Sequence, residues 1–95
     1  MYAEIADISA MEANMTAQQA VVLRIKELMK EKKLTINKLA ELSGVHHSTL
    51  DAMLSLDSTI KNTGVTTIKR LCQGMGISFS KFWKSKLFDN LDYEE

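Results

Sequence analysis

One glycine separates two helical patterns near the middle of this 95-residue chain. On both sides of Gly44, between residues 34 and 54, apolar residues recur three and four positions apart, as they do in amphipathic helices. Glycine adopts positive φ at no steric cost and commonly ends a helix, so Gly44 predicts a sharp turn between two short helices. Thr35 is the predicted N-cap of the first helix, and His46 is either the N-cap or the first residue of the second.

Helix is also favoured in the rest of the chain, because the sequence has no proline and only four glycines. An apolar stripe predicts an earlier helix over residues 16–33, with Thr16 as its N-cap and Gln19 completing a weak capping box. Residues 55–65 are rich in Ser, Asp, Asn and Gly and show no period, which predicts a loop.

A fourth helix is predicted to begin after Thr66 or Thr67 and to end at Gly74 and Gly76. Cys72 lies on its inward apolar stripe, so a buried structural thiol is favoured over a reactive one. Because the chain has a single cysteine, it can form no internal disulfide and offers no cysteine cluster for zinc.

A fifth helix is predicted to begin at Ser78 or Ser80 and to continue as far as Leu87 or Phe88. This region has more apolar residues than one short helix can bury. Phe79 and Phe82 are expected to close the core, and the others to form a surface for a second copy of the chain. The predicted dimer interface consists of Trp83, Leu87, Phe88 and Leu91, with Ile5, Ile8 and Met11 as further candidates.

Five helices of this kind predict a compact all-α domain over residues 16–86, within the usual length of a single domain. An acidic N-terminal extension over residues 1–15 and an acidic C-terminal tail over residues 87–95 are expected to flank it. Residues 1–12 fit a helix or a strand equally well. Since the N-terminus lacks signal-peptide features and no run of about 18 apolar residues occurs, we expect a cytoplasmic protein without membrane contact.

The net charge is zero, but the charges are unevenly distributed. All twelve Lys and Arg lie within residues 24–86 beside five acidic residues, a balance of +7, whereas residues 1–16 carry −3 and residues 87–95 carry −4. A basic middle between acidic ends favours association with nucleic acid. Charge alone fits a solvated surface with acidic tails equally well.

A series of apolar and turn residues between residues 24 and 83 has a characteristic spacing. Its members are Ile25, Leu28, Leu34-Thr35, Leu39-Ala40, Gly44-Val45, Ser48-Thr49-Leu50, Thr67-Ile68, Leu71, Gly76-Ile77-Ser78 and Phe82. With these residues the segment resembles the helix-turn-helix domain of Cro and the phage-type repressors. The spacing from Ala40 through Gly44 to Leu50 is the most specific part. The resemblance implies a five-helix repressor-like fold and a sequence-specific regulator of transcription that binds double-stranded DNA as a homodimer.

In a helix-turn-helix, the second helix of the pair enters the DNA major groove. The resemblance therefore implies base contacts from the helix over residues 46–54. His and Ser can donate or accept a hydrogen bond at a base edge, whereas Asp51 suits only a cytosine donor and Ala52 at most a thymine methyl. Few direct base contacts are thus expected, and sequence-dependent DNA shape is expected to contribute to specificity. The implied base-contact residues are His46, His47, Ser48, Asp51 and Ala52.

The resemblance also implies contacts with the DNA backbone from two places. One is the start of the helix that precedes the turn, where Ile36 departs from the usual polar residue. The other is the loop after the recognition helix. The implied phosphate-contact residues are Thr35 and Asn37 in the first place and Lys61, Asn62 and Thr63 in the second.

The sequence shows no nucleophile motif, no acid pair near a histidine and no glycine-rich phosphate loop, so no enzyme activity and no small-molecule substrate are expected. His46 and His47 are helix neighbours that point away from each other, and no metal or cofactor is expected. The alternative function is a helix-turn-helix used as a protein–protein interaction module, which Ile36, Asp51, Ala52 and the zero net charge favour.

Overall fold

The computed structural model describes residues 15–55, 62–89 and 91. Among these residues the only β-structure is an isolated parallel bridge between Met15 and Leu91. The predicted all-α, five-helix fold is confirmed. The helices are α1 (Ala17–Glu31), α2 (Ile36–Ser43), α3 (His47–Leu54), α4 (Val65–Met75) and α5 (Phe79–Phe82), followed by a 3₁₀ helix (Lys86–Phe88).

Hydroxyl side chains close the N-termini of three of these helices. Thr16 and Gln19 form the predicted capping box of α1, with the Gln19 N–H donating to Thr16 Oγ1 over 3.1 Å and the Thr16 N–H donating to Gln19 Oε1 over 2.9 Å. Thr35 caps α2 as predicted, and Ser78 caps α5. Each cap supplies an acceptor to a backbone N–H that has no partner inside its helix, which fixes where the helix begins.

Three helices end at a residue with positive φ: Lys33 at 56°, Gly44 at 78° and Gly76 at 72°. Gly44 therefore makes the predicted turn. The end of α1 is a Schellman motif in which the Leu34 N–H donates to the Met29 carbonyl over 2.8 Å. Lys33 occupies the position where glycine is usual, and its Cβ makes that conformation less favourable.

Helix α4 begins earlier than predicted, and of the two glycines predicted to end it, Gly76 does so as its C-cap. It begins at Val65, with Gly64 as the N-cap, and Gly74 lies inside it instead of ending it. A Cβ at position 74 would lie 2.9 Å from the backbone N and Cα of Ser43. Gly74 thus allows α4 to pack closely against the end of α2, a contact between helices that are distant in sequence.

Helix α5 is much shorter than predicted, since it is one turn long and its C-cap is Trp83. Instead of continuing, the chain begins the 3₁₀ helix after Ser85, whose side chain accepts a hydrogen bond from the Leu87 N–H over 3.2 Å. The carbonyls of Lys81 and Phe82 would accept hydrogen bonds from later backbone N–H groups in a longer helix.

Arg24 of α1 donates hydrogen bonds to these two carbonyls. Its Nε donates to the Phe82 carbonyl over 2.7 Å and its Nη2 to the Lys81 carbonyl over 2.8 Å, while Nη1 lies 2.6 Å from Glu27 Oε1. Arg24 is buried, with 8% of its surface exposed. One of the twelve basic residues therefore stabilises the end of α5 and does not belong to the protein's charged surface.

Buried apolar residues from all five helices form a single core. The Cys72 thiol belongs to it, as predicted, and burial raises its pKa, an effect that the nearby positive charge of Arg24 opposes. The core consists of Val21, Ile25, Leu28, Met29, Leu39, Val45, Leu50, Met53, Leu54, Ile68, Leu71, Cys72, Met75 and Phe82.

Aromatic rings of α5 and of the residues that follow it form a cluster. Phe82 is fully buried as predicted, but Phe79 is 39% exposed and contacts Trp83 edge-on with ring centroids 5.9 Å apart. Trp83 is 37% exposed and lies 4.9 Å from the Phe82 ring and 5.1 Å from the Phe88 ring. The expectation that Phe79 closes the core is thus wrong, because its ring packs on another aromatic ring at the surface.

The first and last described residues, Met15 and Leu91, lie next to each other at the start of α1. The 3₁₀ helix packs against α1, and Met15 is buried beside Leu91. The predicted domain division between residues 86 and 87 falls within the 3₁₀ helix and stays a prediction. The further dimer candidates Ile5, Ile8 and Met11 lie outside the described residues.

Candidate nucleic-acid interface

Helix α3 has one buried side and one exposed side. Leu50, Met53 and Leu54 are buried in the core. All five predicted base-contact residues are exposed: His46, His47, Ser48, Asp51 and Ala52. Thr49, which was not among the predicted base-contact residues, is exposed as well. Its hydroxyl can donate or accept, so it adds a polar group to this edge of α3.

The turn before α3 is fixed by backbone contacts. The Gly44 N–H donates to the Ala40 carbonyl over 2.9 Å, and the Val45 N–H donates to Ser43 Oγ over 3.2 Å. Val45 is only 8% exposed and Leu50 is fully buried, so apolar side chains anchor both sides of the turn. The orientation of α3 therefore follows from α2 and the core.

The N-termini of α3 and α4 differ from those of the other three helices. His46 is the N-cap of α3 and Gly64 that of α4, and neither makes a side-chain capping hydrogen bond. The first-turn N–H groups of an α-helix have no acceptor within the helix, and they carry the positive end of its dipole. Such helix ends are suited to bind an anion such as a phosphate.

The first predicted phosphate contact, at the start of α2, is exposed. Thr35 Oγ1 accepts the Lys38 N–H over 3.1 Å, which leaves the hydroxyl proton available for a phosphate oxygen. Asn37 is exposed one residue into the helix. Ile36, between them, packs partly buried against the core, which explains why an apolar residue occupies this position.

The second predicted phosphate contact is only partly accessible. Asn62 is exposed, whereas Lys61 lies outside the described residues. Thr63 is 8% exposed and pairs with Gln18 of α1 through two hydrogen bonds. The Thr63 side chain therefore points into the protein and is not available to a phosphate, so its prediction as a phosphate contact is wrong. The sequence carried no local signal for this pairing, because 45 positions separate the two residues.

The predicted dimer residues lie in the C-terminal part of the chain, from the C-cap of α5 onward. Trp83 is partly exposed, and Leu87, Phe88 and Leu91 are half-buried. Trp83, Phe88 and Leu91 line a groove of about 360 Å³ together with Asn62, Thr63 and residues of α1 and α4, among them Gln18 and the exposed Val65. The structure brings these three predicted residues together on one concave surface.

No group of three His, Cys, Asp or Glu side chains that could hold a metal ion occurs within residues 15–55, 62–89 and 91. In the same part of the chain, no helix combines the length and apolar character that crossing a membrane requires.

Comparison with known proteins identifies the class. Residues 25–82, more than half of the chain, match the helix-turn-helix family, so the chain belongs to the Cro/C1-type helix-turn-helix family, as the resemblance predicted. It is a DNA-binding regulator of transcription. The structure is similar to the crystal structure of prophage Lp1 protein 11, with a TM-score of 0.65, 34% identity and coverage of 75% of this chain and 91% of that one. No curated protein matches the sequence.

Proposed function

We propose that the protein binds double-stranded DNA sequence-specifically, with α3 in the major groove and the start of α2 against the phosphate backbone. This proposal rests on the division of α3 into a buried and an exposed side. Its apolar residues are held in the core, while a continuous polar edge from His46 to Thr49 is exposed next to the Gly44 turn. A helix anchored in this way can present its N-terminal side chains without rearrangement.

In this proposal His47 and Ser48 read base edges, because each can donate or accept a hydrogen bond. Asp51 would accept from a cytosine N4 group and would repel phosphate, and Ala52 can reach only a thymine methyl. With so few strong base contacts, sequence-dependent DNA shape supplies part of the specificity.

The backbone contacts come from Thr35 and Asn37 at the start of α2, from Asn62, and from the uncapped starts of α3 and α4. All twelve Lys and Arg lie within residues 24–86. If side chains of this basic segment neutralise about four to six phosphates, the logarithm of affinity should fall against the logarithm of salt concentration with a slope of about −4 to −5. A flat response, or no binding at about 50 mM salt, would reject DNA binding and favour the protein-interaction alternative.

Base readout can be separated from backbone binding by substitution. His47→Ala and Ser48→Ala should each weaken binding to a selected duplex by about 1–3 kcal/mol and relax specificity at one position. Asn62→Ala should weaken selected and random duplexes alike, since phosphate contacts carry no sequence information. Equal losses on both duplexes for all three variants would contradict base readout by α3.

We further propose that the working species is a homodimer, because one helix-turn-helix makes too few contacts to select a site and two half-sites lie about 34 Å apart. The proposed interface is the C-terminal surface formed by Trp83, Leu87, Phe88 and Leu91, and the groove that three of these residues line supports this choice. A two-fold dimer needs such a self-complementary patch.

Sedimentation at micromolar concentration tests the dimer. Val65→Glu places a charge in the groove at a residue that is 66% exposed, so it should lower the mass to that of a monomer without unfolding the chain. Leu42→Glu is the matched control, since Leu42 is an exposed apolar residue of α2 that does not line the groove. A monomeric wild type, or equal masses for both variants, would reject the proposed interface.

A further inference from the structure

Gln18 directs both polar atoms of its side chain to one residue. Its Nε2 donates to Thr63 Oγ1 over 2.7 Å, and its Oε1 accepts the Thr63 N–H over 2.8 Å. Thr63 is 8% exposed, so this pair of hydrogen bonds is largely shielded from water. A primary amide held at both ends fixes the position and the direction of the backbone it binds.

The backbone held by Gln18 lies where the second phosphate contact is proposed. Asn62 directly precedes Thr63, and Gly64, the N-cap of α4, directly follows it. Within residues 15–55, 62–89 and 91, Gln18 is the side chain whose hydrogen bonds join this short segment to another helix. Gln18 therefore holds the backbone between Asn62 and the first turn of α4.

We propose that Gln18 is a positioning residue for DNA binding, which orients Asn62 and the start of α4 toward the phosphate backbone without touching DNA itself. This inference rests on the proposed DNA-binding function. Its physical basis is that a contact formed by an ordered segment avoids the conformational entropy that a loose segment would lose on binding. Since the positioned groups face phosphate, the effect should be independent of DNA sequence.

Gln18→Met tests the proposal, because methionine keeps the length of the side chain and removes both hydrogen bonds. Affinity for a selected and for a random duplex should fall alike, by about tenfold, and the salt slope should become shallower by about one half at most, because Asn62 is neutral and the start of α4 carries only about half a positive charge. Gln19→Met is the matched control, since it makes the same chemical change at the next residue and removes only the capping contact with Thr16. The control should keep the wild-type salt slope.

Substitution of the partner residue provides a second test. Thr63→Ser keeps the hydroxyl and the N–H, so it should keep wild-type affinity and salt slope. Thr63→Val has nearly the same shape without the hydroxyl and should lose part of the affinity. Combining Thr63→Val with Gln18→Met should weaken binding no further than Gln18→Met alone, because both changes break the same pair.

The outcomes separate the inference from the proposed function. If the wild type does not bind duplex DNA at about 50 mM salt, the proposed function fails. If the wild type binds and folded Gln18→Met has the same affinity and slope, the function stands and the positioning role of Gln18 is wrong. Equal losses in Gln18→Met and Gln19→Met would also reject it, since they would reflect general destabilisation of α1. Should Gln18→Met be unfolded, equal affinities of Thr63→Ser and Thr63→Val would reject it.

Discussion

Replacing Arg24 with methionine should destabilise the fold strongly, although the change removes a charge and keeps an unbranched side chain. Arg24 donates to the Phe82 carbonyl over 2.7 Å in a buried hydrogen bond, and to the Lys81 carbonyl over 2.8 Å in a partly buried one. The variant leaves both carbonyls without this donor.

The two carbonyls contribute unequally to the expected loss. Removing a charged donor from a buried acceptor costs about 1.5–3 kcal/mol, which applies to Phe82. The Lys81 carbonyl also accepts the Lys84 N–H over 3.1 Å, so its loss adds only about 0.5–1 kcal/mol. The ion pair with Glu27, whose side chain is 52% exposed, adds little. The total is a loss of about 2–4 kcal/mol, a large part of the stability of a domain this small.

Urea unfolding followed by circular dichroism measures this loss, and Glu27→Gln is the matched control. The control removes only the exposed partner of Arg24 and should change the free energy of unfolding by less than about 0.5 kcal/mol. If Arg24→Met cost less than about 1 kcal/mol, or no more than Glu27→Gln, Arg24 would not be what holds the end of α5.

Three further predictions concern backbone geometry and the buried thiol. Lys33→Gly should raise the free energy of unfolding by about 1 kcal/mol and Gly76→Ala should lower it by about as much, since both positions have positive φ; urea unfolding showing the same sign for both would contradict this. Gly74→Ala should cost about 1–3 kcal/mol despite the better helix propensity of alanine, because its Cβ would lie 2.9 Å from the backbone of Ser43, and a stabilised variant in the same assay would refute the close packing. Cys72 has a pKa raised by burial, so in alkaline urea titrations stability should fall as pH rises through the ordinary thiol range, where only the unfolded thiol ionises; the same fall in Cys72→Val would exclude the thiol as its cause.

Helix number and the turn were predictable from local features of the sequence. The hydroxyl cap Thr35 and the left-handed residue Gly44 act on backbone groups within a few positions, and both behave as predicted. The exposed face of α3 was predictable as well, since helical periodicity divides Leu50 from Ser48 without knowledge of the neighbouring helices.

The predictions that were wrong concern contacts between distant parts of the chain. Helix α5 stops early, and Arg24, 58 positions before Phe82, binds the carbonyl that a longer helix would use. Gly74 is not a helix end but a place of close contact with α2. Arg24 and Phe82, like Ser43 and Gly74, lie too far apart in the sequence for a local pattern to include both residues.

The sequence by itself therefore determined the helical fold, the family, and which side chains of α3 are exposed, because caps, periodicity and turn glycines act over a few residues. Only the tertiary structure decided what Gln18 and Arg24 of α1 do. In the sequence Arg24 is one of many basic residues and Gln18 belongs to no motif. In the structure Arg24 binds the Phe82 carbonyl at the end of α5, and Gln18 binds Thr63. A long polar side chain binds whichever backbone group packing brings within about 3 Å of it, and packing is a property of the whole chain.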